Sequence, residues 1–231
     1  MPANPVVEKL RHQIGCLEGV QRRFSRTIPI ADAVDRWLPY GGLPRGSIHE
    51  VKSTNLAAAL AFAAILSARG HERGNIVYIA PDRSLYPLGL SPLGVKPDQL
   101  LYLCTRKPQD LAWAVMEALR CSQVSAVIAL LHGLDLTASR RLQLAAETSQ
   151  VTGFLLGRTN SAPIAAPITR WIISPVNGKA VQGFDEPVWA VDLSYCRGGH
   201  PGKWILEWRG EKLNTVFAQP VKQAAREALA G

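Results

Sequence analysis

The sequence predicts an α/β fold: a mostly parallel, twisted sheet flanked by helices, with an antiparallel hairpin at its C-terminal end. Short apolar, β-branched runs at residues 75–80 (NIVYIA) and 125–131 (SAVIALL) alternate with helical stretches. That is the pattern of strands buried on both faces and joined by crossover helices. A strand at 47–51 passes at once into an Ala/Leu-rich helix at 55–69, as a mononucleotide-binding βα unit begins. Between Asn160 and Pro220 no helical pattern recurs, and strand candidates remain at 169–174, 188–195 and 203–208.

Each element has a local reason. Residues 6–20 place Val6, Val7, Leu10, Ile14, Leu17 and Val20 three or four apart among polar residues, which predicts an amphipathic helix. Its apolar stripe needs cover from its own core or from another chain, so Leu10, Ile14 and Leu17 are candidate partner contacts. Residues 21–30 form a basic connector with Arg22, Arg23 and Arg26, and 31–38 a short helix carrying Trp37. Gly41, Gly42, Pro44 and Gly46 make a turn into the first strand. Residues 82–97, with Pro87, Pro92 and Pro97, are a loop or short helix, followed by a strand at 100–104. Pro108 opens a helix to 121, and Asp135 or Thr137 caps another that runs to about 149. A strand at 153–156 follows. The strands at 188–195 and 203–208 flank the turn CRGGHPG and read as a hairpin on the sheet edge. Residues 179–186 are a polar loop, and the tail from Pro220 is a short charged helix.

Composition narrows the class. The chain has 231 residues, 47% of them hydrophobic, which suits one compact domain. Its 26 basic and 18 acidic residues give +8, a balance that permits contact with nucleic acid or an acidic partner without requiring it. The longest apolar run, 56–66, falls short of the ~20 residues that cross a bilayer. MPANPVVEKL has no secretory pattern, and Cys16, Cys104, Cys121 and Cys196 form no C-x-x-C pair. No membrane, disulfide framework or metal is expected, and the expected compartment is the cytoplasm. His49-Glu50 lacks the second histidine of a zinc H-E-x-x-H site. Ser53, Thr54 and His132 lack the G-x-S-x-G elbow of a hydrolase.

A nucleotide-binding βα unit carries a glycine-rich loop ending in Gly-Lys-Ser/Thr between strand and helix. Here only Lys52, Ser53, Thr54 and Asn55 lie between Val51 and the helix, a degenerate loop without glycine. GGLPRGS at 41–47 precedes the strand and has Ser47 in the lysine's place.

GGLPRGSIHEV at 41–51, ALRCSQVSAVIALL, LDLTASRRLQLAAE at 134–147, TRW at 169–171 and CRGGHPGKWILEW at 196–208 together resemble the RecA-type recombinase core. They resemble most closely the ImuA family, small RecA-like accessory proteins of bacterial mutagenic translesion synthesis. The resemblance implies a RecA-like core at 38–210, preceded by the N-terminal helix and connector at 1–37 and followed by a tail at 211–231. It implies partnership with an ImuB-like inactive polymerase relative and, through it, an error-prone polymerase. A recombinase, self-association and weak non-specific DNA contact are further candidates.

Departures from the recombinase pattern bear on chemistry. Asp82 stands where a general base would act, but Leu130, Leu131 and His132 end the strand where a magnesium-binding acid belongs. The expectation is no ATP hydrolysis, no catalytic residue and no cofactor, with Asp82 vestigial. Both DNA-contacting connections look short, so the chain is expected to serve as a surface for proteins. Arg140 and Arg141 open a helix on which Arg140, Gln143 and Glu147 share a face; it is either a contact surface or a solvated one. Arg197, in a turn whose glycines are explained by geometry, is a candidate interaction residue. Trp204 and Trp208 share a strand face and are read as packing, with Trp189 opposite. Two other readings fit: a division inhibitor of the SulA type that binds FtsZ, and an ATP-dependent recombination or repair protein with an atypical site around Lys52, Ser53, Thr54 and Asp82.

Overall fold

The structure, a computed structural model, describes residues 26–70, 74–83, 85–176, 187–209 and 211–219. The expected helix at 6–20 and the tail from Pro220 lie outside them.

Nine strands form one sheet. In chain order they are β3 (Ile48–Ser53), β4 (Asn75–Ala80), β5 (Leu100–Cys104), β6 (Val124–Leu130), β7 (Thr152–Arg158), β8 (Thr169–Val176), β9 (Val188–Cys196), β10 (Gly202–Arg209) and β11 (Lys212–Gln219). Their spatial order is β11-β10-β9-β8-β3-β7-β6-β4-β5. Pairing from β8 across to β5 is parallel, and β9, β10 and β11 continue antiparallel. Parallel neighbours need helical crossovers, and α2 (Leu56–Arg69), α3 (Pro108–Arg120) and α4 (Leu136–Ser149) supply them. The connection before β5 is made of two short 3-10 segments, Pro87–Leu93 and Pro97–Gln99.

The layers follow from burial. Val51 belongs to the core beneath α2, with Phe62, Ile65, Leu66, Phe154 and Trp171. Ile48 belongs to the opposite core beneath α3 and α4, with Val115, Leu119, Leu142 and Ala146. Strand alternation therefore turns His49, Val51 and Ser53 toward α2, and Ile48, Glu50 and Lys52 toward α3 and α4. All six residues of β3 are buried.

Several expectations need correction. The first strand runs on to Ser53, so Lys52 and Ser53 belong to it and not to a loop. The short helix at 31–38 contracts to α1 (Asp32–Asp35). The connector and the glycine-rich turn contain a two-residue ladder, β1 (Thr27–Ile28) with β2 (Leu43–Pro44). The β9–β10 hairpin is not the sheet edge, because β11 pairs outside it at residues assigned to the tail. Trp204, Trp208 and Trp189 are buried as expected. Trp204 meets Trp37 at 6.3 Å and Trp171 at 6.4 Å between ring centroids.

Candidate functional site

In parallel α/β sheets, ligands bind at the carboxyl ends of the strands, so the end of β3 is the place to look. The turn from β3 to α2 is only Thr54 and Asn55. The Asn55 backbone N–H donates to Ser53 Oγ at 3.0 Å, and its side-chain Oδ1 accepts the Ala57 N–H at 3.0 Å. The N-terminus of α2 is therefore capped by its own chain, where a phosphate loop would present N–H groups to an anion.

Lys52 points away from that turn. Its side chain is only 7% exposed; Nζ donates to the Ser161 carbonyl at 2.6 Å and lies 4.0 Å from Glu50 Oε1. The turn after β7 closes tightly over this strand end. A Cβ on Gly157 would come within 2.8 Å of Ser161 Oγ and 3.9 Å of Lys52 Cε. Asp82, past the end of β4, is exposed and its carbonyl accepts from the Tyr102 hydroxyl. Two strands separate β4 from β3, about 14 Å at ordinary strand spacing. The structure does not bring Asp82 to Lys52, Ser53 or Thr54. His132 is exposed beyond β6.

Behind the turn lie two polar networks that the sequence did not announce. On one face of β3, the 1% exposed Glu50 accepts the Ile164 N–H at 3.0 Å and a short hydrogen bond from Arg170 Nε. Arg170 Nη2 returns to the Ile164 carbonyl at 2.7 Å. A carboxylate, a guanidinium and an ammonium thus pin the 159–168 connection to β3 and β8. On the other face, His49 Nε2 lies 2.9 Å from the Pro44 carbonyl and Nδ1 lies 2.8 Å from Thr169 Oγ1. Thr169 Oγ1 accepts the Trp171 indole N–H at 2.7 Å. The consistent assignment is a neutral imidazole donating from Nε2 and accepting from the threonine hydroxyl. Burial pushes its pKa down to about 4. The signal for both networks was there in His49, Glu50 and Lys52 on one strand, but Ser161, Ile164, Thr169 and Arg170, which complete them, are more than a hundred residues away.

The remaining candidates are spread out. Arg140 and Arg141 are exposed on α4. Gln143 does not share their surface: it is buried, accepts the Ile48 N–H at 2.9 Å and donates to Glu147 Oε1 at 2.9 Å. The expected common face of Arg140, Gln143 and Glu147 is therefore broken by an inward-turned amide. Arg197 is half-buried and makes internal contacts: its N–H meets the Ile168 carbonyl at 2.9 Å, and Nη2 reaches the Ala166 carbonyl at 3.5 Å. Leu10, Ile14 and Leu17 lie outside the described residues. Among the described residues no cluster of His, Cys, Asp and Glu could hold a metal ion, and no helix is long and apolar enough to cross a membrane.

One surface was missed. Trp113 on α3 is 66% exposed and Leu144 on α4 is 64% exposed. Leu144 lines a groove of about 690 Å³ between the two helices, together with Met116, Arg120, Arg141 and Thr148 among others. The helical pattern could have revealed it, because Trp113 falls off the stripe of Leu111, Ala114, Val115 and Leu119 that faces the core.

A nine-stranded sheet with a parallel centre, helices on both faces and an antiparallel end places the chain in the RecA-like recombinase fold. The crystal structure of the RadB recombinase matches it with a TM-score of 0.60 over 81% of this chain and 98% of that one, at 10% identity. No family model matches the chain. Protein ImuA from each of two strains of Caulobacter vibrioides is 34% identical over 195 residues, 76% of this chain and 80% of the relative. The chain belongs to the ImuA family.

Proposed function

We propose that the chain is a non-catalytic, RecA-like accessory factor of DNA-damage-induced (SOS) mutagenesis in the cytoplasm. In this reading it holds an ImuB-like polymerase relative and, through it, an error-prone polymerase during translesion synthesis. Membership of the ImuA family supports the pathway.

The single observation that carries the non-catalytic part is the end of β3. Its lysine is committed to the Ser161 carbonyl, and its helix N-terminus is capped by Asn55. A transferring phosphoryl group needs cationic and N–H donors aimed at it, and here those groups already have internal partners. Arg140 and Arg141 offer at most a weak, sequence-independent DNA contact, one that should fall steeply with salt.

The test is a tagged pull-down from cells treated with a DNA-damaging agent, read by mass spectrometry. Recovery of a polymerase relative together with an error-prone polymerase is expected; recovery of FtsZ without polymerases overturns the reading in favour of division control. Purified protein with millimolar ATP and magnesium should give neither turnover nor a thermal shift. Turnover would restore the enzyme reading.

A further inference from the structure

We propose that the groove between α3 and α4 docks an acidic amphipathic segment of a partner protein, with its apolar side chains on Trp113, Met116 and Leu144 and its carboxylates on Arg120 and Arg141. This gives the accessory role a surface and a chemistry, and it rests on that reading only for the source of the segment.

The groove has an apolar floor. Met116 and Ala145 line it, and Leu144 stands exposed on its α4 wall. Trp113 lies three residues before Met116 and Arg120 four after it, so all three fall on one stripe of α3. α3 and α4 both follow parallel strands and run side by side, with the Ser149 hydroxyl bonded to the Leu119 carbonyl at their C-terminal ends. The 13 residues of α3 span about 20 Å. The volume of about 690 Å³ falls within the ~300–1,000 Å³ of sites that enclose a ligand. A groove between two helices, with large apolar side chains left outside, is where a third, amphipathic helix lays its apolar face.

Charge selects the occupant. Arg120 and Arg141 stand one on each wall, and among the described residues no acidic side chain lines the groove. Neither Arg141 nor its exposed neighbour Arg140 makes an ion pair among the described residues. Arg120 pairs with the exposed Glu117 at 3.1 Å, a contact worth little in water. An incoming carboxylate therefore finds guanidiniums free to make charge-assisted hydrogen bonds. A second copy of the chain fits poorly, since a two-fold interface sets a patch against itself and this patch offers arginine no acid. A nucleic acid strand fits poorly too. It carries a charge at every nucleotide and needs a track of cations with stacking aromatics, whereas here two cations border a floor of Met116, Ala145 and Leu144.

The test pans a random library of displayed peptides, each about 15 residues long to match α3 as a helix, on the immobilised full chain. Recovered peptides should pair Asp or Glu with leucine or an aromatic at three- and four-residue spacing. As fluorescein-labelled synthetic peptides they should bind at least ten-fold more weakly to Leu144→Asp and to the double variant Arg120→Glu with Arg141→Glu. Binding should be unchanged on Val216→Asp, a site exposed on β11 at the far edge of the sheet. Lysine in place of the peptides' acids should restore binding to the double variant, a reversal that a damaged fold would not give. No enriched peptide, peptides without acidic bias, or binding that survives Leu144→Asp would each overturn the proposal. A labelled thymidine oligonucleotide that binds and is lost on Leu144→Asp would assign the groove to nucleic acid instead. A dimer that grows with concentration and dissociates on Leu144→Asp would assign it to a second copy. The pull-down above tests the role and the peptides test the groove, so the two fail separately.

Discussion

The two faces of β3 hold polar groups in opposite ways. Toward α2, His49, Thr169 and Trp171 form a neutral network in which each ring N–H donates to one acceptor and the Thr169 hydroxyl both accepts and donates. Toward α3 and α4, Glu50, Arg170 and Lys52 form a charged one. The neutral network is held by uncharged hydrogen bonds and responds to pH. The charged network is held by mutual compensation and fails when a member is removed, since a buried charge without its partner is costly.

Removing one charge should give the largest effect. Glu50→Ala leaves Arg170 and the Ile164 N–H unanswered beneath the sheet, and should cost about 3–5 kcal/mol in urea unfolding. A loss below ~1 kcal/mol would mean that the connection at 159–168 can rearrange to hydrate Arg170.

The opposite face should report through protons. With a folded pKa near 4 against 6.5 unfolded, His49 takes up a proton more readily in the unfolded chain. Its contribution is fully present above pH 6.5 and is lost as pH falls toward 4, about 3 kcal/mol in all. The measurement is stability against pH for the wild type and His49→Gln. Their difference should shrink steadily over that window, and a constant difference would mean that the ring is not held neutral.

Smaller effects sharpen the contrast. Asn55→Ala removes the cap at the end of the same strand and should cost about 1 kcal/mol in thermal or urea unfolding. On the outer strands, Lys203 Nζ lies 3.2 Å from Asp192 Oδ2 with the lysine 60% exposed. Lys203→Ala should change stability by less than about 1 kcal/mol, and the change should vanish at high salt. The same chemistry that is critical behind β3 is nearly neutral in water.

Much of the fold was legible because parallel strands buried on both faces write unbroken apolar runs, as at NIVYIA and SAVIALL. β11 was illegible: Leu213 is its one buried side chain among those described, while Val216 and Phe217 are exposed, so KLNTVFAQ has neither a run nor a clean alternation pointing inward. The degenerate phosphate loop was legible as a missing glycine pattern. What replaced it was not, because His49 on one face of a strand and Glu50 and Lys52 on the other read as polar positions open to solvent. Only Thr169 and Arg170, each 120 residues beyond its partner, turn those two faces into interiors. Gln143 misled for the same reason, since its partner Ile48 is 95 residues away.

That separation has a consequence for biosynthesis. β3 lies at the centre of the sheet between β7 and β8, yet it leaves the ribosome long before either. At ~5–20 residues per second, Glu50 waits on the order of ten seconds for Arg170 to be made. Through that interval the nascent chain carries its central strand unpaired, next to the apolar α2. The middle of the finished sheet cannot close until β8 is made, and folding of the domain is gated by translation of its second half.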